Sequence, residues 1–194
     1  MTSTPMIPTA DTLAAAASTA ARKGPPPVHL WNPPFCGDID MRIARDGTWF
    51  YLGTPIGRPA LVKLFSGILR REGDAYFLVT PVEKVGIRVD DAPFLVTDFT
   101  VDGTGSTQTI TVTTKTEDRA TLGPDHPLRI RFDPSTGEPS PYILIRADLW
   151  ALIDRKSFYR LVDLCCHQRH DGQLWFGLWS AGQFFPVMLS SELT

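Results

Sequence analysis

RPALVKLFSGILRREGDAYFLVTPVEKVGIRV, residues 58–89, has a partner later in the chain: RKSFYRLVDLCCHQRHDGQLWFGLWSAGQFFPVML, residues 155–189. Arg58, Leu61, Leu64, Phe65, Ile68 and Leu69 align with Arg155, Phe158, Leu161, Val162, Cys165 and Cys166 at a constant offset of 97 positions. In the first stretch Leu61, Leu64, Phe65 and Ile68 fall at i, i+3, i+4 and i+7, which is one apolar face of a helix over 59–70. Pro59 suits the first turn of that helix. Both stretches then reach a turn, Gly73-Asp74 or Asp171-Gly172, and pass into aromatic-rich strands, Tyr76 to Val79 and Leu174 to Trp179, each followed by a second strand. Amphipathic helices alone would explain the shared apolar spacing, but not the matched hairpins that follow. Recurrence of the whole strand, helix and hairpin unit signals an internal duplication.

Outward from this core, Ile43 to Arg45 and Thr48 to Leu52 flank Asp46-Gly47, a hairpin signal that predicts a type I′ turn. Strands are expected over 85–89, 94–101 and 107–114, with Asp102 to Ser106 (DGTGS) as a hairpin loop. No helix follows DGTGS, so it lacks the context of a phosphate-binding glycine loop. Residues 128–132 and 142–145 form another hairpin around Asp133 to Gly137. The expected fold is α+β: two related halves of mainly antiparallel strands with one main helix each. Residues 1–27 form an N-terminal arm, 28–91 the first half, and 92–194 the second half with additional strands. In the arm, Thr9 or Asp11 caps a short helix that Gly24 to Pro27 stop, and its one large apolar residue, Leu13, leaves open a docked helix or a loose tail.

At 43% hydrophobic content, 194 residues can bury a substantial core. A formal net charge of −2, with both signs spread along the chain, gives no footprint for a nucleic-acid polymer. No stretch approaches the ~18 apolar residues that span a membrane. The opening segment, with Asp11 before its alanine run and Arg22-Lys23 after it, reverses the charge order of a secretory signal. Three cysteines, two of them adjacent, make no disulfide framework, and a reducing cytoplasm is the expected compartment.

The runs WNPPFCGDIDMRIARDGTWFYLGTPIGR, LFSGILRREGDAYFLVTPVEK and IRVDDAPF, with HPLRIRFD and PYILIRADLWALIDRKSFYRL later, resemble a bacterial family known as domain of unknown function 1285. The resemblance spans nearly the whole chain after the arm. It implies two similarly built halves, the second like a pleckstrin-homology domain, no established enzymatic activity, and a signalling role with a nucleotide-like ligand between the halves.

Against that background, Arg58 and Arg155 are the first candidates for ligand binding. Each sits at a helix start, where the macrodipole disfavours a cation by ~0.3–1 kcal/mol, so an anion there would offset the charge. The plainer alternative is a local carboxylate, Asp154 or Asp148 in the case of Arg155. Trp31 is a stacking candidate and Cys36 a ligand neighbour within the stiff WNPPFCG segment; the alternative is that this segment plugs the core. Lys84, Arg88 and Arg146 add positive charge, and Tyr142 is a second stacking candidate. Cys165, Cys166, His167 and His170 resemble a metal cluster, but the repeat turns the cysteines into small core residues and puts the histidines near a helix end. No metal and no cofactor is expected. The leading expectation is a non-enzymatic module for a small anionic, nucleotide-like ligand. Its competitors are a protein-interaction module using the hairpin at 175–185, and a cryptic hydrolase using Cys36 with His29 as a nominal base.

Overall fold

Seven of the nine elements of the first unit combine into one sheet and one helix laid across it. The computed structural model describes residues 8–21 and 26–193, and the chain divides into a unit ending at Pro93 and another beginning at Phe94. The first holds α1 (Ala10–Ala21), β1 (Phe35–Ile43), β2 (Trp49–Tyr51), β3 (Thr54–Pro55), α2 (Pro59–Gly67), β4 (Leu69–Glu72), β5 (Ala75–Val79) and β6 (Lys84–Val89), with a short 3-10 turn at Val28–Leu30. Its sheet runs β3-β2-β1-β6-β5-β4. Two three-strand meanders are therefore joined by α2, and the helical crossover lets β6 lie parallel to β1 while every other pair is antiparallel.

The apolar face read from the sequence does the packing. Phe65 and Ile68 are fully buried, and Phe65 stacks on Trp49 of β2 with ring centroids 6.3 Å apart. The helix is shorter than the spacing predicted: it ends at Gly67, Ile68 caps it, and Leu69 already belongs to β4. The arm contains a docked helix, because Leu13 and Ala17 of α1 are fully buried and the Ala10 N–H donates to the Tyr51 hydroxyl. Thr9 caps α1, its Oγ1 accepting from the Thr12 N–H. The expected stop of this helix falls partly on Gly24 and Pro25, which lie outside the described residues, as do Arg22 and Lys23. At the first hairpin only Gly47 has positive φ; the Gly47 N–H donates to the Ala44 carbonyl and the Ala44 N–H to the Thr48 carbonyl. This is a type I turn closed by a glycine bulge rather than the type I′ turn expected, since Asp46 keeps negative φ and glycine alone takes the left-handed position.

The second unit comprises β7 (Phe94–Asp102), β8 (Thr109–Thr114), β9 (Arg119–Thr121), β10 (Leu128–Phe132), β11 (Pro139–Arg146), β12 (Leu149–Ile153), α3 (Arg155–Val162), β13 (Cys166–His170), β14 (Gln173–Ser180) and β15 (Gln183–Leu189). Its six-stranded sheet, written from its other edge, runs β9-β8-β7-β12-β11-β10, with β7 parallel to β12. That is the strand order of the first sheet, so each unit contains the same pair of meanders joined by one parallel contact. The helix is placed differently. In the first unit it lies between the meanders; in the second it follows both and leads to a separate antiparallel sheet, β13-β14-β15. The helix and hairpins after it recur as the sequence indicates, but the counterparts of β4, β5 and β6 in sheet order are β10, β11 and β12. Inside the second unit, Phe94, Val96, Ile143, Leu149, Ala151 and Ile153 fill one face of the large sheet.

Candidate functional site

Both helix-start arginines stand where the spacing puts them, with different surroundings. Arg58 caps α2 in an extended conformation and is exposed; its carbonyl accepts from the Leu61 and Val62 N–H groups, and among the described residues its guanidinium makes no ion pair or hydrogen bond. Arg155 opens α3 and forms an ion pair with Glu138, in the turn between β10 and β11. The local carboxylate is thus neither of the two anticipated. Asp154 instead caps α3, its Oδ1 accepting from the Ser157 N–H at 2.7 Å, and Asp148 accepts from the Trp150 indole at 3.2 Å.

In the first unit the WNPPFCG segment, Arg70, Glu72 and Lys84 form one cluster. Arg70 donates to the backbone carbonyls of Trp31 (2.6 Å) and Val28 (3.2 Å), and pairs with Glu72. Glu72 also accepts from Lys84 Nζ at 3.0 Å, and the Lys84 hydrogen bond, aided by Arg70, holds its carboxyl below the usual carboxylate range. Lys84 lies 4.9 Å over the Phe77 ring, and Phe77 meets Phe35 edge-on. Lys84 is therefore neutralised and mostly covered, and Trp31, half-buried, contributes its carbonyl to the cluster. The segment acts as a strap against β4. Arg88 is elsewhere on β6, exposed, 3.7 Å from Asp90, which Arg42 also engages.

Cys36 is half-buried in β1, and its thiol donates to the Pro34 carbonyl at 3.5 Å. Among the described residues no histidine is bonded to it, and His29 is exposed in the 3-10 turn. The repeat misplaces the other sulfur and imidazole groups. Cys166 is exposed and Cys165 only partly buried, whereas Leu69 and Ile68 at the matching positions are core. His167 and His170 lie on β13, not at a helix end. Burial pushes the Cys165 thiol up to about 12, with help from Cys166 and Asp163. Among the described residues no three His, Cys, Asp or Glu side chains are grouped to hold a metal ion. In the aromatic hairpin β14–β15, Leu178, Phe184 and Phe185 are buried, whereas Trp175, Phe176 and Trp179 are half-buried.

The second unit carries a cationic surface built over aromatic rings. Arg146 is paired with Asp118 and lies 4.9 Å over Phe94. Tyr142 is buried at 6% exposure, and what covers its ring is Arg131, 5.1 Å from its centre. Two residues back on β10, Arg129 lies 4.4 Å over the ring of Trp150. Strand register explains the pattern. Arg129 faces Tyr142, Tyr142 faces Leu152, and Trp150 faces Leu144, so all these side chains share one face of the sheet. Arg129 and Arg131 are exposed and, unlike Arg146, Arg155 and Arg160 in the same unit, pair with no carboxylate among the described residues. Each ring meets its guanidinium from one side, and because both arginines are exposed their N–H groups remain available to a phosphate and their outer sides to a planar base. Of the sequence candidates only Tyr142 belongs to this plate. Arg129, Arg131 and Trp150 were missed, although the alternation in LRIRF marks both arginines as sharing a face.

Comparison with known proteins agrees with this architecture. The family described as Domain of unknown function (DUF1285) matches through its N-terminal domain at residues 26–92 and its C-terminal domain at residues 93–187. The crystal structure of a DUF1285 family protein from Silicibacter pomeroyi DSS-3 is 64% identical, with a TM-score of 0.84, covering 93% of this chain and 97% of that one. A DUF1285 family protein from Shewanella baltica OS155 is 30% identical over 63% of this chain and 90% of that one, with a TM-score of 0.49. No curated protein matches.

Proposed function

This chain belongs to the DUF1285 family, and on that premise we propose that it is a non-catalytic binding module for a small, nucleotide-like anion, acting in bacterial signal transduction. The observation that carries the reading is the plate formed by Arg129, Arg131, Tyr142 and Trp150. Two like charges two positions apart on one strand face repel each other, and among the described residues no acidic side chain pairs with them. A phosphate between their N–H edges would do so, with charge-assisted hydrogen bonds of about 1.5–3 kcal/mol each. A base would stack on the outward guanidinium faces. Arg58, exposed in the other unit and with no side-chain partner among the described residues, is a separate anion contact in this reading. Arg155, Lys84, Arg88 and Arg146 serve structural ion pairs instead.

No helix among the described residues is long and apolar enough to cross a membrane. The three thiols are free, which fits the cytoplasm as the place of action. The test is thermal-shift screening against nucleoside mono-, di- and cyclic phosphates. A ligand at ~100 times its dissociation constant stabilises by ~2.7 kcal/mol. A panel in which none of them moves the transition contradicts the reading.

A further inference from the structure

β10 is the outer strand of the second unit's large sheet, and the direction of its backbone bonds can be read from its ends. The Leu144 N–H donates to the Pro127 carbonyl, and the Asp133 N–H to the Glu138 carbonyl. In the register that pairs Arg129 with Tyr142 and Arg131 with Ser140, the bonded positions of β10 are the odd-numbered ones. Pro139 and Pro141, which have no N–H, face Phe132 and Ile130 and so sit at the non-bonded pairs, as they must. The N–H and C=O groups of Leu128, Ile130 and Phe132 therefore point out of the sheet. Among the described residues nothing bonds to them.

The matching edge of the first unit is treated differently. β4 holds the same place in its sheet as β10 does in the second, and the segment from the 3-10 turn at Val28 to Trp31 lies against it, held by Arg70. Among the described residues β10 has no such strap. An uncovered edge with regularly spaced donors and acceptors is a template for another strand.

The side chains state what that strand should carry. One face of β10 presents Arg129 and Arg131, with no carboxylate partner among the described residues; the other presents Leu128, Ile130 and Phe132, the last 49% exposed. Acidic residues would face the arginines and apolar residues the second set. A second copy of β10 fits badly, because antiparallel pairing about Ile130 sets Arg129 opposite Arg131, and like charges directly opposite are destabilising. We propose that the free edge of β10 binds, by antiparallel strand addition, an extended segment of another protein that alternates acidic and apolar side chains. This inference stands on backbone geometry and holds whether or not a small anion also binds the arginines.

The experiment uses the full chain and a labelled synthetic peptide alternating glutamate and valine, with binding followed by fluorescence anisotropy. Residues opposite Leu128, Ile130 and Phe132 must exchange backbone hydrogen bonds, and these are the valines. Methylating the valine nitrogens should weaken binding at least tenfold, whereas methylating the glutamate nitrogens, which point away from β10, should leave it nearly unchanged. Arg129→Ala with Arg131→Ala should weaken the unmodified peptide and flatten its salt dependence. Equal binding by the two methylated peptides, or no binding by the parent, overturns the proposal.

Discussion

The guanidinium of Arg131 lies 5.1 Å from the centre of the Tyr142 ring, and that ring is otherwise enclosed, at 6% exposure for the residue. The two side chains therefore divide the work: the tyrosine holds the sheet together and the arginine meets the solvent. Removing each should have unequal consequences. Tyr142→Ala takes a ring out of the packed interior and should cost about 3–5 kcal/mol in urea denaturation, the range for large aromatic truncations. Arg131→Ala should cost only about 0.5–1 kcal/mol, the worth of an exposed cation–π contact. Equal losses would mean that the arginine is a packing residue.

Two glycines make a second contrast. A Cβ on Gly177 would lie 2.3 Å from the Phe185 carbonyl oxygen and 2.9 Å from the Pro186 Cα, both backbone atoms of the neighbouring strand. Gly177→Ala should therefore spread β14 from β15 and destabilise by about 3 kcal/mol, at the upper end for overpacking. At Gly86 the obstacle is the Asp38 carboxylate oxygen at 1.9 Å, the far end of an exposed side chain that can swing away. Gly86→Ala should be tolerated, with a melting temperature close to that of the parent.

Asp133 sits in the β10–β11 turn and accepts from the Ser135 hydroxyl, then from the Thr136 and Ser135 N–H groups, which lower its pKa from 3.8 to about 2. A depressed carboxylate contributes its share of stability above its unfolded pKa and loses it as pH falls through the folded one. The turn should thus hold at pH 4 and loosen only toward about pH 2. A carbon-detected NMR titration should give Asp133 a midpoint near about 2, and Ser135→Ala should raise it.

The adjacent thiols should react unequally. Burial pushes Cys165 up to about 12, so it holds almost no thiolate at neutral pH, while Cys166 is exposed on β13. Brief treatment with iodoacetamide at neutral pH, followed by peptide mass spectrometry, should label Cys166 well ahead of Cys165. The reverse order would contradict the placement of the two residues.

What was legible in the sequence is what short-range physics fixes. The spacing of Leu61, Phe65 and Ile68 located α2, and the turn pairs Gly73-Asp74 and Asp171-Gly172 located the hairpins beyond both helices. Parallel contacts between β1 and β6, and between β7 and β12, join segments some tens of residues apart and leave no local pattern. For that reason the repeat was aligned through its helices, when the sheets repeat through their strands. β13 escaped because CCHQRH lacks the apolar alternation of a half-buried strand: it is an edge, and most of it faces water. Among the candidate site residues, Arg155 shows the limit most clearly. The sequence places it at a helix start, but its partner Glu138 comes from a turn 17 positions earlier. Arg129 and Arg131 were overlooked for the complementary reason, since their significance depends on which rings lie beneath them.

In the proposed reading the two guanidinium groups of β10, set over aromatic rings and without a carboxylate partner among the described residues, hold an anion. Isothermal titration of the full chain with the best nucleotide from the screen, repeated on Arg129→Ala and Arg131→Ala, measures this directly. Each substitution should weaken binding by about tenfold or more, roughly one charge-assisted hydrogen bond apiece, while both variants keep the parent's circular dichroism spectrum. A nucleotide that binds the parent and both variants with the same affinity would show that the anion sits elsewhere.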